Sequence, residues 1–137
     1  MVGILIVSHG TFGEALIRCA SHVLGARPER VAEVGVAVQD EPDEILQRAR
    51  KLAAELDEGE GVLVLSDICG ATPCNIASRL LESGRIEGLS GVSLPMLIRA
   101  ITYRNEPIDS VVRKAMSGGL EGVVHLNRDP CHAADGS

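Results

Sequence analysis

The chain has 137 residues, 45% of them hydrophobic, which is enough apolar material for one folded domain and too little length for two. A formal net charge of -6, with Phe12 and Tyr103 as the only aromatics, argues against nucleic acid as a partner, because that binding needs a basic surface and often stacking rings. A core without aromatics must be packed from Val, Leu, Ile and Ala, as in a parallel sheet covered by helices.

Residues 3–10, GILIVSHG, open the chain with four consecutive apolar residues that run into Ser8, His9 and Gly10. An apolar run of this length closed by a turn signal predicts a strand covered on both faces, and Gly10 lets the chain leave it sharply. His9 then stands at the carboxyl end of a strand, where open α/β sheets bind their ligands. The opening MVGILIV carries no basic leader and reaches polar residues too soon for a signal peptide or a membrane span. The expectation is therefore a cytoplasmic protein with no direct insertion into a membrane. Cys19, Cys69, Cys74 and Cys131 have no paired CxxC spacing and are expected as free thiols.

Leu16, Ile17, Ala20, Val23 and Leu24 share one helical face, with a stop at Gly25, and Phe12 is expected to pack under this helix. Residues 31–38 alternate in part and predict a strand exposed on one side, at the sheet edge. Asp40 is the expected cap and Pro42 the expected first-turn residue of a helix carrying Ile45, Leu46, Ala49, Leu52, Ala53 and Leu56, which ends before Gly59 and Gly61. Residues 61–67, GVLVLSD, repeat the design of the first run and end on Asp67. Gly70 then makes a turn, Thr72 is the expected cap and Pro73 the expected first residue of a helix with Ile76, Ala77, Leu80 and Leu81.

Residues 89–92 are a candidate fourth strand. Two helices follow, one through Ala100 and Ile101 and one with Ile108, Val111, Val112, Ala115 and Met116, separated at Pro107. Residues 122–126 read as a short terminal strand, and residues 128–137 are polar with nothing to bury. The predicted organisation is one domain over residues 1–127 with a polar tail over 128–137. Strand and helix patterns alternate four times, which predicts an open parallel α/β sheet with helices on both faces. The first and third runs are apolar throughout and should be central neighbours, so that His9 and Asp67 end adjacent strands.

In that arrangement a carboxylate accepts a hydrogen bond from one ring nitrogen of His9, fixes its tautomer and leaves the other nitrogen as a nucleophile. The turn from Gly70 through Ala71, Thr72 and Pro73 to Asn75, together with Gly10, is the candidate phosphoryl-binding loop. It offers backbone N–H groups and the Thr72 hydroxyl at a helix amino end.

Three stretches, GILIVSHGTFGEAL, VLVLSDICGATPCNIASRL and GVSLPML, in this order and spacing, resemble the IIA component of the mannose-type branch of the bacterial phosphoenolpyruvate-dependent sugar phosphotransferase system. The resemblance covers roughly residues 2–126. It implies a histidine phosphocarrier in which His9 accepts a phosphoryl group from phosphohistidine on the carrier HPr and passes it to a separate IIB component for sugar uptake. It also implies that Asp67 holds the ring and that Thr72 supplies the hydroxyl near the phosphoryl group. The family sheet has four parallel strands in order 2-1-3-4 with an added C-terminal edge strand, its members commonly form homodimers, and the chemistry needs no cofactor or metal. Departures from the family pattern are Ile68, Cys69 and Cys74 where relatives often carry bulky aromatics, Ala71 for a glycine and Ser93 for an asparagine.

Three other readings use the same residues. A regulatory phosphoprotein would use the same His9 chemistry to report phosphorylation state without moving a sugar. A metal site from His9, Cys69 and Cys74 lacks a second ligand pair. A hydrolase built on Ser8 lacks a GxSxG elbow, and consecutive strand residues point to opposite faces, away from each other. His22, His125 and His132 carry no partner motif and are expected as surface or structural residues.

Overall fold

Four short runs rich in Val, Ile and Leu form the sheet of the computed structural model, which describes residues 1–128. These are β1 (Gly3–His9), β2 (Val31–Val36), β3 (Val62–Ser66) and β4 (Ile86–Leu89), in the order β2-β1-β3-β4. All three pairings are parallel, with Val7 opposite Val34 on one side and opposite Ser66 on the other. The strands are connected by α1 (Phe12–Leu24), α2 (Pro42–Leu56) and α3 (Thr72–Ser78), and the pair α4 (Leu94–Tyr103) and α5 (Ile108–Glu121) follows β4.

Because β1 and β3 are covered on both sides, their successive residues enter two different cores. Ile4, Ile6, Leu63 and Leu65 pack with Ile17, Leu97, Ala100 and Val111, under α1, α4 and α5. Leu5, Val7, Val62 and Val64 pack with Ile45, Leu46, Ala49, Ile76 and Leu80, under α2 and following α3. This parity decides the direction of each strand-end side chain. His9 is in phase with Leu5 and Val7 and belongs to the α2/α3 face, whereas Ser8 is buried on the α1 face.

Several expectations shift by a few residues or fail. β2 ends at Val36, and Val38 is fully exposed in the following turn. The residue capping α2 is Glu41; Asp40 instead accepts the Ala37 N–H at 2.8 Å, and Pro42 takes the first helical position as expected. Thr72 is already helical, with the extended Ala71 before it, so Thr72 is not the cap and Pro73 is the second helical residue. α3 is only seven residues long, and Leu80 and Leu81 fall beyond it. The fourth strand is Ile86–Leu89, not residues 89–92, because β3 starts after Gly61 and pairs Val62 with Ile86. Phe12 is largely exposed at the start of α1 and does not pack beneath it.

The expected strand over residues 122–126 is absent. α5 runs to Glu121, Gly122 caps it, and a one-turn 3-10 helix spans Leu126–Arg128. A strand needs a neighbouring strand for its backbone groups, and none lies beside this segment. Residues 129–137, with Cys131, His132 and most of the expected polar tail, lie outside the described residues. Among the described residues no helix is long and apolar enough to cross a membrane.

Candidate functional site at the carboxyl ends of the strands

β1 carries His9 out of the sheet at its last position, and the chain turns at Gly10 with φ 51°. Gly35 opposite is what lets this turn close: a Cβ there would sit 2.1 Å from the Gly10 carbonyl oxygen. Gly10 N–H in turn donates to Val36 O at 3.0 Å, so the exit from β1 is fastened to the end of β2.

On the other side, Asp67 follows directly on β3. Its Oδ2 lies 2.7 Å from His9 Nδ1 and accepts the His9 backbone N–H at 2.8 Å. Its Oδ1 accepts the Ile68 N–H at 2.9 Å. The imidazole is 56% exposed while the Asp67 side chain is only 13% exposed, so the ring is open to solvent and its carboxylate partner is sheltered. Burial is the largest single influence on Asp67 and pushes its pKa up. The His9 N–H, the His9 ring and the Ile68 N–H together outweigh that, and hold the carboxyl below its ordinary value. An ionised carboxylate can only accept, which assigns the ring proton to Nδ1 and the free lone pair to Nε2.

His9 lines a cavity of about 270 Å³ with Val36, Ala37, Val38, Asp40, Pro42, Thr72 and Pro73. Thr72 and Pro73 are thus brought to His9 as the sequence suggested. Gly70, Ala71 and Asn75 are not part of this lining, and the Asn75 N–H is used inside the helix, bonded to Ala71 O at 3.0 Å. The Gly10 N–H is likewise engaged. Among the described residues the N–H groups of Gly70, Ala71 and Thr72 donate to nothing within the chain, and Gly70 turns with φ 89°. Three expected loop residues, Gly70, Ala71 and Thr72, therefore keep donors available, while Gly10 and Asn75 do not. A seven-residue α3 adds little dipole of its own.

Sequence reasoning missed the other wall of this cavity. Val36 through Pro42 flank His9 because β2 is the second neighbour of β1 in the strand order. The signal was present in that order: the loop after an edge strand beside β1 must border the end of β1. Ser93, which departs from the family pattern, caps α4, its Oγ accepting the Met96 N–H at 3.3 Å.

The rival constellations do not assemble. Ser8 is fully buried on the far face of β1 and its Oγ has no hydrogen-bond partner, so no nucleophile is presented to His9. Among the described residues no three His, Cys, Asp or Glu side chains come together as a metal-holding group, and Cys69 with Cys74 does not form one with His9.

The sequence profile of the family described as "PTS system fructose IIA component" (EIIA-man) matches residues 3–116. The mannose-specific EIIAB component of the phosphotransferase system of Escherichia coli (strain K12) is 31% identical over 136 residues, covering 97% of this chain and 42% of that protein. This chain therefore spans less than half the length of the first curated relatives it matches. The transcriptional regulatory protein LevR of Bacillus subtilis is 28% identical over 126 residues, 88% of this chain and 13% of the regulator. Among solved structures, the phosphotransferase system component EIIA from Streptococcus agalactiae superposes with a TM-score of 0.83 at 27% identity, covering 94% of this chain and all of that one. The strand order, the two-sided core and the profile match over residues 3–116 agree, and the chain belongs to the EIIA-man family of phosphotransferase-system IIA components.

Proposed function

We propose that this chain is a histidine phosphocarrier that accepts a phosphoryl group on His9 from phospho-HPr and passes it to a IIB component for sugar uptake. The observation that carries this reading is the 2.7 Å contact between His9 Nδ1 and Asp67 Oδ2 at the open end of the sheet. With the proton on Nδ1, the Nε2 lone pair attacks the phosphorus of the donor phosphohistidine. The donor P–N bond breaks, and its electron pair returns to the donor imidazole. The positive charge that develops on the His9 ring is stabilised by Asp67, while the hydroxyl and the free N–H of Thr72, which lines the cavity with His9, are the available donors to the phosphoryl oxygens. Transfer onward is the same step in reverse, with IIB as acceptor.

The test is intact-mass analysis after incubation with phosphoenolpyruvate, enzyme I and HPr. One phosphoryl group should be added, in an acid-labile and alkali-stable bond. No addition, or the same addition in His9→Ala, would refute the assignment.

The LevR match supports a second reading, in which the same acceptor reports phosphorylation state to a regulatory partner. The two part at the acceptor step: a carrier loses its label to a IIB component within a catalytic cycle, and a reporter keeps it.

The carrier reading extends to a homodimer whose contact includes residues 122–126. Support comes from Leu120, Val123, Val124 and Leu126, all exposed in the single chain, an apolar strip for which a second copy would supply cover. Light scattering should give a dimer for the full chain and a monomer for a form ending at Gly122, a cut that leaves α5 whole. A monomeric full chain, or a dimeric truncated form, would reject this contact.

A further inference from the structure

The cavity beside His9 contains a second carboxylate that the phosphocarrier reading leaves unused. Asp40 lines the cavity with His9, and no Lys or Arg contributes to that lining. Its side chain is fixed in place: Oδ2 accepts the Ala37 N–H at 2.8 Å, and the Asp40 N–H donates to Ala37 O at 3.1 Å, which closes the turn between β2 and α2. Asn serves such a turn equally well, since its side-chain oxygen accepts the same bond. The turn accounts for the shape of the residue and not for its charge.

A phosphoryl group on His9 carries nearly two negative charges, of which the ring, with its Nδ1 proton kept, offsets one, so a cavity of about 270 Å³ gains net negative charge. Asp40 lines the same cavity as His9, so its carboxylate repels the phosphoryl oxygens, and salt in the solvent, with a Debye length of about 10 Å at 0.1 M, weakens that repulsion. Asp67 offers the phosphoryl oxygens no relief: it is itself a carboxylate, and its hydrogen bonds go to the ring and to two backbone N–H groups. Beyond the ring's own charge, the compensation offered by the described residues that line the cavity comes from neutral donors. A basic side chain brought by a docking protein would meet Asp40 and the phosphoryl group together.

We infer that Asp40 sets the transfer potential of the phosphoryl group on His9: it raises the energy of the phosphorylated chain when alone, and its charge is met by a basic group of the protein partner during transfer. This rests on His9 being the phosphoryl acceptor. Asp40 acts through the field in the cavity and takes no part in bond making, so its signature is an equilibrium shift with a salt dependence.

The experiment measures the equilibrium of phosphoryl transfer between phospho-HPr and this chain, at low and high salt, for the wild type, Asp40→Asn, Asp40→Ser and Asp43→Asn. Both Asp40 variants keep an oxygen for the Ala37 N–H. Asp43 is the control, an exposed carboxylate on α2 that does not line the cavity. The expected result is a shift of about 3- to 10-fold towards the phosphorylated chain in both Asp40 variants, shrinking as salt is added, with Asp43→Asn within about twofold of wild type. An unshifted equilibrium in the Asp40 variants, a shift indifferent to salt, or an equal shift in Asp43→Asn would overturn the inference. A wild type that takes no phosphoryl group, or one that is labelled equally in His9→Ala, would instead overturn the reading of His9 on which it rests.

Discussion

The two ends of the same four strands are built on opposite terms. At the amino ends a buried side chain ties the backbone of β1, of the approach to β2 and of α4 together, beside an open cavity lined by Gly61 and Arg85. Arg104, 5% exposed, reaches down from the end of α4 and donates from Nε to Val2 O at 3.0 Å, from one terminal nitrogen to Glu29 O at 2.6 Å and from the other to Arg30 O at 2.8 Å. No carboxylate among the described residues pairs with it; burial draws its pKa below the ordinary guanidinium value, and it remains charged at neutral pH. Two glycines complete this end, since a Cβ on Gly3 would lie 2.6 Å from Leu56 O and one on Gly61 would lie 2.4 Å from Arg85 O. At the carboxyl ends, by contrast, the chain is open: His9, Val38 and Ile68 face solvent and loops take the place of packing. The lesson is a division of labour. Backbone carbonyls are satisfied from within at one end, while the other end holds the His9 ring open to solvent.

The largest expected effect lies at the open end. Asp67→Ala should leave the fold intact but slow phosphoryl transfer from phospho-HPr by about 10- to 1000-fold, because the ring loses both its orientation and its tautomer control. Asp67→Asn should also be slowed. Unchanged stopped-flow rates in both would mean that the contact between the two strand ends is only structural.

Arg104→Ala tests the amino end. It takes a donor from three carbonyls, of which Arg30 O keeps the Ile4 N–H, and removes the buried side chain that joins β1, the approach to β2 and α4, so a loss of about 2–5 kcal/mol in urea unfolding is expected. The transfer rate per folded molecule should stay as it was. A stable variant with impaired transfer would erase the distinction between the two ends.

The smallest effect is one of pH. The folded-state pKa of Asp67 is depressed, so its contribution to stability is fully present above the unfolded carboxyl value of about 3.9 and is lost as pH falls through the lower folded value. Stability measured from pH 7 to pH 2.5 should therefore lose the Asp67 share only in the acid limb, below about pH 4. Asp67→Asn should remove that share. Parallel acid limbs in the two proteins would show that the hydrogen bonds to this carboxylate carry no net stabilisation.

The sequence by itself determined the parts whose signal is local. β1 and β3 are uninterrupted apolar runs, and α1 and α2 repeat their buried residues at helical spacing. Each of these signals its own conformation before any neighbour is known. It also determined the meeting of His9 and Asp67, since two fully buried strands must be central and their ends must adjoin.

What only the tertiary structure decided is whatever depends on a neighbour. β4 is Ile-Glu-Gly-Leu, a weak strand sequence that becomes a strand because β3 offers it a free edge in a fixed register. Residues 122–126 have a stronger apolar pattern but meet no such edge, and stay outside the sheet. Thr72 looks like a cap, yet the chain enters α3 one residue earlier, through Ala71. Asp40 looks like a cap as well, but its carboxylate is claimed by the Ala37 N–H, and the loop it closes borders His9. For β4 the choice was made by the edge of another strand, which a reading of neighbours along the chain does not contain; for Asp40 it was made inside its own turn, where the side chain had two backbone uses open to it and took the Ala37 N–H.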